Sequence, residues 1–144
     1  MRRIAVVLAV LGLIAASPSG AVIRPQQGMS GVWLGMGKAQ VRAKLGRPIG
    51  SGGGRLYYPR VWVGFRLNRV VEITTTRSAE RTRSGVGVGS TEAAVKRAYP
   101  SVVCAPAGGF RRCRIGSGRP DTRATDFMIG HGRVLQVTIQ LLPQ

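Results

Sequence analysis

A chain of 144 residues with 22 basic and only 5 acidic side chains carries a formal charge of +17. The length is that of one domain and is expected to leave no room for a catalytic domain beside a separate binding domain. The charge favours anionic partners and speeds encounter with them.

Arg2 and Arg3 open the chain, and Ile4 to Ala16 carries no polar side chain. Pro18 and Gly20 break any helix, and Ser19-Gly20-Ala21 places small residues before a cleavage point after Ala21. This is the layout of a secretory signal over residues 1–21. The apolar run is short against the roughly 20 residues a spanning helix needs, and no later segment is long and apolar enough to span a bilayer. The exported domain, of about 123 residues, keeps all the acids and a net charge of about +15. Residues 22–30 read as an N-terminal linker. The expected location is secreted, periplasmic or cell-wall-associated.

Residues 31–42 align without gaps on 85–96. The identities are Gly31/Gly85, Val32/Val86, Gly35/Gly89, Ala39/Ala93 and Val41/Val95, and Arg42/Lys96 keeps the charge. Phe65 to Thr74 then parallels Phe127 to Thr138 in the same order. Two copies of one unit, 31–76 and 85–142, joined by a polar exposed linker at 77–84, are the reading. Each copy opens with a short helix, near 37–45 and 91–98. Ser90 is the expected N-cap of the second; Gly46 and Pro100 stop them. Gly50 to Gly54 and Gly116 to Ala124 read as loops.

Val61, Val63, Phe65 and Leu67 alternate with Trp62, Gly64 and Arg66, and Val71, Ile73 and Thr75 alternate with Val70, Glu72 and Thr74. The second copy repeats the pattern with Phe127 and Ile129, a Gly130-His131-Gly132 turn, and Leu135, Val137, Ile139 and Leu141. Alternation of this kind marks strands with one buried face. The predicted class is α+β: two tandem helix-plus-antiparallel-hairpin repeats sharing one antiparallel sheet, with both helices on one face. Cys104 and Cys113, the only cysteines, read as a disulfide across a short hairpin turned at Ala107-Gly108-Gly109.

The segment Gly31-Val32, Leu34-Gly35-Met36, Lys38, Val41 and Leu45-Gly46, with Pro48, resembles the small outer-membrane assembly lipoproteins of the SmpA/OmlA type. The tandem arrangement resembles β-lactamase inhibitory protein, with two related units building one sheet. No lipid-acceptor cysteine follows the signal. The resemblance implies a sheet whose open face binds another protein, and it brings no binding residues with it.

Catalytic and cofactor chemistry is sparse. His131, the only histidine, sits between two glycines in a predicted turn, with no nucleophile or carboxylate partner in the sequence around it. Asp121 and Asp126, in an expected exposed loop, are candidates to flank a metal, but one histidine and few acids leave the further ligands lacking. Gly85 to Thr91 runs into a helix without the lysine of a phosphate cradle. Of the aromatic platforms a single-strand nucleic-acid binder needs, Phe65, Phe127 and Tyr99 fall on predicted core faces, and only Trp62 and one of Tyr57 and Tyr58 are expected to look outward. The expectation is a non-enzymatic binding module with no metal or cofactor and no specific nucleic acid. Its partner is an unidentified protein or an anionic envelope component. The alternatives are a polyanion-binding envelope protein and a small extracytoplasmic enzyme. If Val63, Phe65, Val71, Ile73, Leu135, Val137 and Ile139 face the helices, parity sends Trp62, Arg66, Glu72, Gln136 and Thr138 to the open face, where tryptophan and arginine suit an interface.

Overall fold

Eight strands pair side by side, every neighbour antiparallel, in the order β4-β5-β6-β7-β12-β11-β10-β9. Their ranges are β4 Gly50–Gly52, β5 Arg55–Tyr58, β6 Val61–Arg66, β7 Arg69–Thr75, β9 Val103–Ala107, β10 Phe110–Ile115, β11 Arg123–Gly130 and β12 Arg133–Leu141. The shorter pieces are β1 Val22–Ile23, β2 Gly28–Met29, β3 Val32–Trp33 and β8 Arg81–Thr82, and the helices are α1 Lys38–Leu45 and α2 Glu92–Ala98. This computed structural model describes residues 22–144; the export signal expected at 1–21 lies outside the described residues.

The expected α+β class is corrected. The described residues are mostly β, with 49% strand against 12% helix. Each helix is followed by four strands, not by a hairpin: α1 by β4 to β7, and α2 by β9 to β12. Within the large sheet, β4 replaces the glycine loop expected at Gly50 to Gly54, and β5 is a further strand without an expected counterpart. Both edges are blunted, β4 by its shortness and glycines, β9 by Pro106.

The inward residues form one core. Val61, Val63, Ile73, Phe127, Val137 and Ile139 are fully buried with Val41 of α1 and Val95 of α2. Tyr99, just after α2, stacks on Phe127 with ring centroids 6.2 Å apart. Thr91 caps α2, its hydroxyl accepting from the Ala94 N–H at 3.1 Å. Ser90, the expected cap, instead accepts from the Gly87 N–H and the Arg81 guanidinium. The loop before each helix is tied to the last strand of its half in the same way. Gly35 N–H donates to Val70 O and Gly89 N–H to Val134 O; Arg69 and Arg133 donate to the carbonyls of Gly35 and Gly89.

The segments expected as linkers are structural. β1 pairs in parallel with β8, and Ile23 and Met29 are buried in the core. Glu80, in the stretch expected to be polar and exposed, is 2% exposed and accepts from the Ser30 hydroxyl and from Arg77. A buried carboxylate needs such donors to offset its lost hydration.

Four of the hairpin turns have two central residues at positive φ: Gly53-Gly54, Leu67-Asn68, Gly108-Gly109 and His131-Gly132. This is the signature of the type I′ turn, whose twist matches the flanking strands. Glycine, asparagine and histidine sit there at small cost. Leu67 does not: at φ 49° it carries strain of about 1 kcal/mol, and its side chain is 93% exposed.

A β-bulge interrupts each half at the same place, between Gly64 and Phe65 opposite β7 and between Met128 and Ile129 opposite β12. Val71 and Leu135 are the extra residues. The inward positions are therefore Val70 and Val134, each 1% exposed, while Leu135 is 42% exposed. The expectation that Val71 and Leu135 face the helices is corrected, because a bulge shifts alternation by one residue.

Cys104 and Cys113 face each other across β9 and β10 and are bonded, with the turn at Gly108-Gly109. Closing a loop over a sequence separation of 9 constrains the unfolded chain by about 2–3 kcal/mol. Cys104→Ser should lower the melting temperature by on the order of 10 °C in a domain this size. An exported protein with two titratable thiols, or a variant that melts with the wild type, would contradict this.

Candidate binding face

Trp62 lies between the fully buried Val61 and Val63, so its ring points away from the helices. Register then fixes its neighbours. Tyr57, Trp62, Thr74, Thr138, Asp126 and Arg114 stand opposite one another in sequence across β5, β6, β7, β12, β11 and β10. They form one row over most of the sheet. Tyr57 is 37% exposed and Trp62 half-buried, side by side at one end. Between Trp62 and Thr138, Thr74 is only 1% exposed, and the two threonine hydroxyls lie 2.9 Å apart.

At the other end Arg114 grips Asp126 with two hydrogen bonds, Nε to Oδ1 at 2.7 Å and Nη2 to Oδ2 at 2.6 Å. Gln140 Nε2 adds a third to Oδ2 at 2.7 Å. Asp126 is 7% exposed, and the bond it accepts holds the Arg114 guanidinium above its ordinary pKa. Bidentate pairing of this kind fixes both planes and leaves little freedom to either side chain.

The neighbouring row runs Arg55, Gly64, Glu72, Gln140 and Ala124. Arg55 on β5 reaches over β6 to Glu72 on β7, at 2.9 and 3.2 Å. The strand between them carries Gly64, where an added Cβ would come within 3.2 Å of the Glu72 Cβ and 3.7 Å of Arg55 Cγ. The glycine makes room for an ion pair two strands wide. In the row on the other side, Gln136 stands opposite Met128, and Met128 opposite Arg112.

Of the residues expected on this face, Trp62 and Thr138 share the central row, and Glu72 and Gln136 sit in the rows flanking it. Arg66 is not brought to them. It lies four residues along β6 beside the Leu67-Asn68 turn, roughly 13 Å from Trp62 along the strand. Thr74 and Gln140 share the strand parity of Glu72 and of Gln136 and Thr138, whereas Tyr57, Asp126 and Arg114 join the row through the register across strands.

The remaining candidates are accounted for geometrically. His131 is exposed at φ 51° in its turn, and Asp121 sits at φ 56° with its carboxylate accepting from Gln144. Glu92 lies close to Cys104 and Cys113, but the two sulfurs are bonded to each other and supply no metal ligand. Among the described residues no helix is long and apolar enough to cross a membrane.

No protein-family profile matches the chain, and no curated protein matches its sequence. The fold is similar to a crystal structure of an extracellular protein containing a SCP domain from Bacillus anthracis str. Ames, at a TM-score of 0.52 and 14% identity. The similarity covers 74% of this chain and 43% of that one, so the chain spans less than half of that neighbour's length. At this identity the likeness concerns the fold alone. The resemblance to SmpA/OmlA lipoproteins and to β-lactamase inhibitory protein is thereby corrected: the structural neighbour is of another kind, and the β-rich sheet with two short helices replaces the helix-plus-hairpin unit.

The Glu92 carboxylate on α2 is held well below the usual carboxylate range. Hydrogen bonds from Arg111 on β10, then from Lys96, hold it at about 2, below its ordinary 4.5. A carboxylate whose pKa falls on folding stabilises the fold above its unfolded pKa and loses that contribution as pH drops through the folded value. The melting temperature should therefore fall between pH 4.5 and about 2, and Glu92→Gln should flatten the fall. Identical pH profiles for the two proteins would remove this ion pair as a source of acid sensitivity.

Proposed function

We propose that this protein is a non-enzymatic extracytoplasmic binding module that engages another protein through the outer face of its sheet. The observation that carries the reading is the central row, with half-exposed Tyr57 and Trp62 at one end and a fixed Asp126–Arg114 pair at the other. Tryptophan, tyrosine and arginine are the residue types that most often carry interface energy. A rigid sheet presents them with little ordering cost. The signal-like N-terminus, the disulfide and an extracellular structural neighbour support a location outside the cytosol.

The non-enzymatic part of the reading is supported by how the titratable groups are spent. Glu72, Glu80, Glu92 and Asp126 each accept from at least one arginine. The one histidine shapes a turn. The second reading, polyanion binding, draws on the surplus of about fifteen positive charges.

Pull-down from envelope extract by the exported domain tests the choice. A captured protein should persist at raised ionic strength, and Trp62→Ala should weaken its binding at least fivefold, about 1 kcal/mol, with the melting temperature within a few degrees of wild type. Capture that vanishes with salt and ignores Trp62 would replace this reading with the polyanion one. A Trp62→Ala protein that no longer folds would make Trp62 part of the scaffold.

A further inference from the structure

The end of the β6–β7 hairpin combines features that the outer face does not use. Leu67 is 93% exposed, more than any other large apolar side chain among the described residues. It occupies a left-handed position that the other three such turns fill with glycine or histidine. Folding stability gains nothing from an apolar residue that is both strained and solvated. An outlier of this kind points to a role beyond the isolated chain.

Beside the tip lies a groove of about 250 Å³. Arg66, Arg69 and Arg123 stand around it, and Leu34, Val70 and Leu141 give it an apolar floor. Arg66 and Arg123 pair with no acid among the described residues, while Arg69 is steadied by the Gly35 carbonyl at 3.4 Å. Among the described residues no acidic side chain lines the groove.

We propose that this hairpin end docks on an anionic lipid bilayer. Leu67 enters the acyl boundary, and Arg66, Arg69 and Arg123 receive headgroup phosphates at the groove. An apolar tip ringed by cations is the arrangement that binds such an interface, because apolar burial and attraction to anionic lipid add. The chemistry is complementary on both counts. Three unpaired or carbonyl-held guanidiniums meet phosphates, and the exposed leucine meets the acyl layer instead of water. The site is on the end of the sheet, separate from the Trp62 row, and stands independently of the protein-binding reading.

Cosedimentation of the exported domain tests it, with vesicles of phosphatidylglycerol and phosphatidylcholine in equal parts against vesicles of phosphatidylcholine alone. The wild type should bind the mixed vesicles and leave the neutral ones. Leu67→Asn should reduce partitioning at least tenfold while raising the melting temperature, since asparagine tolerates the left-handed backbone. Leu67→Gly should do the same. Arg66→Gln with Arg123→Gln should also cost at least tenfold. Inorganic phosphate at millimolar concentration should leave binding unchanged. The proposal is overturned if Leu67→Asn and Leu67→Gly bind as wild type does, which is adhesion by charge alone. Full displacement by free phosphate, equal binding to neutral vesicles, or no binding to the mixed vesicles would overturn it as well.

Discussion

Four residue pairs between β7 and β12 make one sheet out of two halves: Val137 with Thr75, Thr138 with Thr74, Ile139 with Ile73, and Gln140 with Glu72. Thr74 and Thr138 occupy corresponding places in the two halves, so their hydroxyl contact at 2.9 Å lies on the local twofold relation between them. Everything else depends on this short junction. Helices of eight and seven residues are marginal alone, and each buries only one fully covered side chain, Val41 or Val95. They persist because one core runs beneath both. The N-terminal segment reinforces the joint. Gln27 O accepts from Leu34 N–H in the first half, and Gln26 bonds Thr125 and Arg123 in the second. The row from Tyr57 to Arg114 exists only while the junction holds, since it crosses from one half to the other at Thr74 and Thr138.

Much of the architecture was legible where a signal repeats within a few residues. The disulfide, the β6–β7 and β11–β12 alternation and both helices follow from local pattern. What local pattern does not carry is the partner. Val71 and Leu135 look inward by parity, yet the bulge on each last strand turns Val70 and Val134 inward instead. The repeat alignment shows the same effect. The sequence pairs Phe65 with Phe127, but the equivalent turns at Leu67-Asn68 and His131-Gly132 make Ile129 the counterpart of Phe65. The shift of two preserves parity, so it exchanges no inward position for an outward one. Glu80 lies in a stretch whose local pattern is that of a solvated linker, because its partner Ser30 is 50 residues away.

The few acids explain how a chain this basic keeps distinct surfaces. Glu72 and Asp126 neutralise Arg55 and Arg114 within the outer face. Glu92 takes two cations between α2 and β10, and Glu80 is spent inside the junction of the N-terminal segment with β8. The central rows of the outer face are thus locally compensated, and contact there rests on aromatic area and fixed hydrogen bonds. Among the described residues no acid pairs with the hairpin end around Arg66, Arg69 and Arg123.

That partition decides which forces each surface obeys. Attraction between exposed charges is screened beyond roughly 8 Å at physiological ionic strength, so uncompensated arginines act mainly on a partner already close and multiply charged. A compensated face gains little from long-range attraction and must win by fit. If the positive charge of the chain were only a compositional bias, acids would be scattered without regard to face, and the outer rows would be as cationic as the hairpin end. Instead two of the five acids are placed where they cancel arginines beside Trp62 and Thr138. The placement of the acids, more than the number of arginines, is what separates a face built for shape from an end built for charge.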